Sequence, residues 1–217
     1  MYNLLLKELK LGANPFFYVL PFLTGALTLI PAWLYFLVPL YFCFITIPNL
    51  FGGYKSQNDL MFTSMLPVTK TDMVKAKISF IVILELLHIV TAIIYGLISV
   101  SLYPDLIYYF YAPTLGFWGL CLVMLAVFNI IFFPMYYKTA YKYGAASITS
   151  ILAAILFAAG AEWLGIANSF VYDLYKGAGA DNLAIQLSLL LAGIVIFAIF
   201  TIIAYYIANK RFEKVEM

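Results

Sequence analysis

Apolar runs about as long as a lipid bilayer is thick take up most of this chain and leave few folds open to it. Of its 217 residues, 65% are hydrophobic and 10% are charged, against roughly 25% charged in an ordinary soluble domain. A soluble domain of this length still exposes much of its surface, so it cannot hide that much apolar side chain from water. Lipid is the solvent that tolerates such a surface. A crossing helix needs about 20 largely apolar residues, and six spans are read at about 14–30, 33–49, 77–101, 114–137, 144–161 and 184–208. Little chain is left over, so residues 1–217 are expected to form a single all-α, polytopic membrane domain.

The segments between the spans set the orientation. Residues 1–12 place Tyr2, Leu5, Leu6 and Leu9 at helical spacing, with Asn3, Lys7 and Lys10 elsewhere around the wheel; such a helix lies in the headgroup plane. Glu8 among the lysines, and the lack of a small-residue cleavage pattern, argue against a cleaved signal. Pro21 and Pro39 predict kinks or tilt in the first two spans. Positive charges collect in cytoplasmic loops. Eleven of the twelve Lys and Arg fall at the N-terminus, in 50–77, in 138–142 and in the tail, whereas Lys176 stands opposite with Asp105, Glu162, Asp173 and Asp181. This asymmetry predicts a multi-pass protein with both termini cytoplasmic. Tyrosines at 103–111, and those interleaved with Lys138 and Lys142, belong at the headgroup level. The basic, aromatic cluster beside two apolar spans is therefore read as a membrane boundary, with no nucleic acid as partner.

Few residues carry chemistry. The chain has no G-x-x-x-x-G-K-[ST], H-E-x-x-H, C-x-x-C or G-x-S-x-G, so the usual signatures of an autonomous ATPase or hydrolase are missing. No catalytic residue, metal site or cofactor is expected on it. Cys43 and Cys121 lie in apolar runs and read as small buried hydrophobes. Glu85 and His88 form the one intramembrane polar constellation, three residues apart on one helix face. A carboxylate at a span centre costs about 2.5–3.5 kcal/mol on insertion scales, so something must compensate it. A hydrogen-bonded Glu–His pair packed between helices and a polar patch lining a substrate or proton path both fit. A di-iron site would need further acids, and span 4 offers only Asn129. In span 5, small residues including Ser147, Ser150, Ala154 and Ala158 recur three or four apart. They suit a permease-to-permease interface or close packing within one subunit.

Residues 50–76 form the longest polar stretch. Ser56-Gln57-Asn58-Asp59 has the form of a capping box, with a helix continuing through Leu60, Met61 and Met65. Pro67 ends it. Thr69 to Asp72 then offers a second cap, opening a helix that becomes span 3. Leu60, Met61, Phe62 and Met65 give the short helix an apolar face. Such a face suits a protein partner or the membrane surface.

The stretch Asp59-Leu60, Met65-Leu66-Pro67-Val68-Thr69-Lys70 and Met73-Val74-Lys75-Ala76-Lys77 resembles the cytoplasmic segment of bacterial ABC-2 type transporter permeases. Its place between spans 2 and 3, the span count and the N-terminal helix extend the likeness over the whole chain. Among small permeases, the chain is most similar to those of exporters for phenol-soluble modulins and related amphipathic peptides. The resemblance implies a bacterial plasma-membrane half-transporter. It would pair with a second copy or a related permease, and separate ABC ATPase subunits would hold ATP and Mg. It places the ATPase-coupling helix at Gln57, Asp59, Leu60, Met61, Phe62 and Ser64, favours a dimer face on span 5, and makes 162–183 a partly buried outer hairpin with Trp163, Ile166, Phe170, Val171 and Leu174 as its apolar side. The expected function is ATP-driven export of a hydrophobic or amphipathic substrate, such as a peptide toxin or antimicrobial peptide. The alternative is a proton-coupled carrier using Glu85 and His88.

Overall fold

The computed structural model describes residues 2–12, 14–104, 106, 108–139, 142–176 and 183–215. Asp105, Tyr141 and Asp181 lie outside the described residues. Helices make up the described chain. They are α1 (Tyr2–Lys7), which continues as a π-helical turn Glu8–Gly12, α2 (Phe16–Gly25) with a 3-10 turn Ala26–Leu29, α3 (Leu37–Tyr41), α4 (Ile47–Ser56), α5 (Asp59–Ser64), α6 (Lys70–Leu102), α7 (Leu115–Thr139), α8 (Tyr143–Ala167), α9 (Ser169–Lys176) and α10 (Leu183–Phe212). A π-helical turn, Phe42–Thr46, joins α3 to α4, so Leu37–Ser56 runs as one helix. In lipid every backbone polar group must be satisfied within its own segment, which is why apolar runs of this length become helices.

Among the described residues, five helices are long and apolar enough to cross a membrane: Leu37–Ser56, α6, α7, α8 and α10. The first of the six expected spans is a shorter apolar helix, Phe16–Leu29, which holds Pro21. At about 1.5 Å per residue it is shorter than the roughly 30 Å hydrocarbon layer. Ile30–Phe36 turns the chain back, with Ala32 at φ 55° and the Tyr35 hydroxyl donating to the Ile30 carbonyl at 3.1 Å. The second span is also displaced. Residues 50–56, read as loop, extend its helix because Leu50, Phe51 and Tyr54 bury one face. Ser56 does not cap α5. Its hydroxyl donates to the Gly53 carbonyl inside α4 at 2.9 Å, and Asn58, at φ 50°, makes the break; Asn tolerates that left-handed conformation better than most residues. Thr69 caps α6 by accepting from the Asp72 amide at 3.1 Å. With 33 residues, α6 is about 50 Å long, more than the roughly 30 Å hydrocarbon layer needs.

The bundle is organised around α7. Phe117, Trp118, Phe128, Phe132 and Phe133 are all fully buried along it, and it packs against α6, α8 and α10. Phe51 meets Phe132 and Tyr136 edge-on, with ring centres 4.9 and 4.5 Å apart, and Phe36 meets Phe117 at 4.8 Å. The α7–α10 crossing is a backbone contact. A Cβ on Gly119 would lie 2.5 Å from the Leu189 carbonyl oxygen, and a Cβ on Gly193 would overlap the Gly119 carbonyl oxygen. Removing side chains at a crossing lets helices in lipid gain van der Waals contact that apolar burial does not supply there. By contrast α8 and α10 turn most of their surface outward.

Candidate functional site

Lys7 and Lys77, two of the eleven positive charges grouped by the sequence, meet at α5. Its two buried residues are Asp59 and Thr63, one turn apart. Gln57, Met61, Phe62 and Ser64 are exposed, Leu60 is half-buried, and Met65 and Leu66 continue the exposed apolar ridge past the helix end. Asp59, placed by the resemblance among the partner contacts, is therefore withdrawn from the surface. Its carboxylate is held by amines from two other parts of the chain. Lys7 reaches one oxygen, and Lys77 donates to the other at 2.6 Å. Lys7 also donates to the Thr63 hydroxyl at 2.8 Å and pairs with Glu8 at 3.3 Å. Tyr54 closes the cluster. Its hydroxyl donates to Glu8 at 2.5 Å, and its ring lies under the Lys77 amine, 3.7 Å from the ring centre. Burial pushes the Asp59 carboxyl upward, and the two lysines outweigh it, so the group sits below its ordinary value of 3.8.

In the sequence Lys7 belongs to the polar side of the N-terminal helix and Lys77 to the stretch after Pro67, with nothing to join either to Asp59. A lone acid beside an apolar run was the available signal that a cation must meet it. Beside the cluster, Phe51, Lys55, Asn58 and Met61 line a cleft of about 180 Å³. The C-terminal end joins the same region: Lys70 donates to the Val215 carbonyl at 2.7 Å, and Arg211 to the Pro134 carbonyl at 2.9 Å.

Glu85 and His88 are both buried inside the spans, but they do not bond to each other. Asn129 of α7 donates to Glu85 at 3.0 Å and to Thr201 of α10 at 3.3 Å. The centre thus ties α6, α7 and α10 together. His88 places Nδ1 2.9 Å from the Leu84 carbonyl, which can only accept, and packs edge-on against Phe42 at 5.1 Å. Thr201 was missed because a hydroxyl in an apolar helix carries no pattern of its own.

The small-residue stripe is corrected. Ser147, Ser150, Ala154 and Ala158 are buried, on a helix that packs against α7 and the Leu37–Ser56 helix of the same chain. They have no surface to offer a second subunit. The outward face of α8 carries Ile148, Leu152, Leu156 and Trp163 instead. Of the residues expected to form an outer hairpin, Trp163 and Ile166 lie on α8 and Phe170, Val171 and Leu174 on α9; Val171 and Leu174 pack on the core, while Trp163, Ile166 and Phe170 are exposed, and 177–182 lie outside the described residues. Between α8 and α9 an apolar cleft of about 590 Å³ is lined by Leu156, Phe157, Trp163, Leu164 and Val171.

The profile described as ABC-2 family transporter protein matches residues 3–213. The chain belongs to this family. It is therefore the multi-pass membrane component of an ABC transporter, a permease whose kind works with an ABC ATPase and is typically not itself catalytic. No curated protein and no solved structure matches it. Within the permease, α5 carries the apolar ridge, and the ion cluster fixes that helix to two other segments, α1 and α6.

Proposed function

We propose that this permease is the membrane half of an ATP-driven exporter, and that its ATPase subunit docks on α5 from the cytoplasm. The observation that carries the reading is the ridge of Met61, Phe62, Met65 and Leu66, exposed on a short helix outside every span long enough to cross. Exposed apolar residues on a rigidly held helix suit a groove on a partner. The positive charges put this end in the cytoplasm, where ATP is. Both termini are then cytoplasmic, in the plasma membrane of a bacterium.

The substrate class proposed is a hydrophobic or amphipathic molecule, such as an amphipathic peptide. Two features favour it. The spans hold no ring of charge of the kind that selects ions, and the cleft between α8 and α9 has apolar walls. ATP binding on two ATPase subunits would move α5 and the long α6 together, as rigid bodies. A second copy or a related permease would complete the transporter through the outward face of α8.

Affinity purification of the tagged permease in mild detergent tests this. A P-loop ATPase should copurify in stoichiometric amount, and M61D with F62D should abolish it without changing yield or monodispersity. A permease that purifies alone in several detergents, yet transports in a proton gradient, would replace this reading with a carrier built on Glu85.

A further inference from the structure

The ion cluster bears on α5 in a way the exposed ridge alone does not explain. A six-residue helix is too short to hold itself together in water. Helices usually gain their orientation from a buried apolar face, but the two buried residues of α5 are both polar, Asp59 and Thr63, and Lys7 grips both. Lys77 holds the second Asp59 oxygen at 2.6 Å. The four charges of the cluster, Lys7, Glu8, Asp59 and Lys77, balance. Buried ion pairs return less stability than apolar packing of the same volume, and their best-attested use is to specify one register. Successive helix residues are about 100° apart, so a slip of one position would turn Met61 and Phe62 away from where they stand.

We propose that Lys7 and Lys77 form a two-point clamp on Asp59 that sets the rotation of α5, making the N-terminal helix a positioning part of the docking site. Lys7 is reached through Asp59 and Thr63 rather than through the exposed ridge. The inference rests on the reading that an ATPase docks on α5. It adds that affinity for the ATPase depends on a residue 52 positions upstream of Asp59.

The test titrates the copurified ATPase onto full-length permease in lipid nanodiscs. K7M is expected to bind it about tenfold more weakly, with the KM for ATP unchanged, and K7R to bind close to wild type. K7M combined with D59N should bind no more weakly than the weaker single variant, because the two act as a unit. Wild-type affinity in monodisperse K7M would overturn the clamp. Should K7M fail to fold, T63V removes one bond to Lys7 and should still weaken binding about threefold. The docking reading fails separately, if no ATPase copurifies with the wild type. The clamp then stands or falls on a nitroxide at S64C, on the exposed side of α5. Its mobility should rise in K7M, and an unchanged spectrum would overturn the proposal.

Discussion

At the scale of single residues, Asp59 and Gly193 carry the sharpest consequences. Asp59 is charged, buried and paired twice. Replacing it with Asn leaves Lys77 in a largely buried place without its counter-ion and Lys7 with Glu8 alone, a loss on the order of 3 kcal/mol. Thermal unfolding in detergent should show D59N well below wild type. The pH dependence has a definite sign. The folded carboxyl lies below its ordinary 3.8, so the pairing contributes fully above about pH 4 and is lost as pH falls through the lowered value. D59N should therefore flatten the acid limb of a plot of melting temperature against pH. Gly193 makes a different point. A methyl group there meets the Gly119 carbonyl, which is backbone and cannot swing aside. G193A should separate α7 from α10 and cost about 1–3 kcal/mol or more, read as a lower melting temperature.

At the scale of elements, α8 buries a stripe that its sequence could have offered to a partner, and α5 exposes the expected Met61, Phe62 and Met65 but buries Asp59. The small residues of α8 look made for a second subunit, yet they let α8 approach α7 and the Leu37–Ser56 helix. A154L should therefore destabilise the isolated subunit, lowering its yield and melting temperature, because Ala154 is fully buried. The helix α5 is the reverse case. An acid expected on its surface is its internal anchor, and the apolar residues beside it are what it offers outward. The long α6 links the two scales. Thr69 starts it, Lys70 and Lys77 bind the tail and α5, and Glu85 and Thr91 sit deep in the bundle. In the proposed transporter, a shift of α5 would pass through the Asp59–Lys77 pair into this continuous helix.

At the scale of the whole molecule, α7 is the packed centre and α8 and α10 are the flanks that turn most of their surface outward. The proposed pairing of two permeases would run through the outward face of α8, where Ile148, Leu152 and Leu156 repeat every four residues. L152C in native membranes should give a copper-dependent dimer on a non-reducing gel, while A154C, turned inward, should give none. Cys43 and Cys121 are buried and free, so the native background of such crosslinks is low.

Medium and helix content were legible in the sequence because both depend on local properties. Apolar runs demand lipid, and lipid demands helices. The Thr69 cap and the Pro67 break act within one turn, so the start of α6 could be read directly. The direction each helix faces could not. In water an apolar stripe marks the buried side, but in lipid the outward side is apolar too, and that contrast disappears. That is why the stripe of α8 stayed open between a subunit interface and packing within one chain, and why the α7–α10 glycine contact went unread. The ion cluster was hidden for a second reason. Lys7 and Lys77 lie 52 and 18 residues from Asp59, and only the folded bundle brings those charges to one point. Local chemistry alone sets what this protein dissolves in and that it is helical, together with the Thr69 start of α6. The tertiary structure decided which residues the helices turn toward one another, because in a bilayer that choice is made by packing and pairing rather than by escape from water.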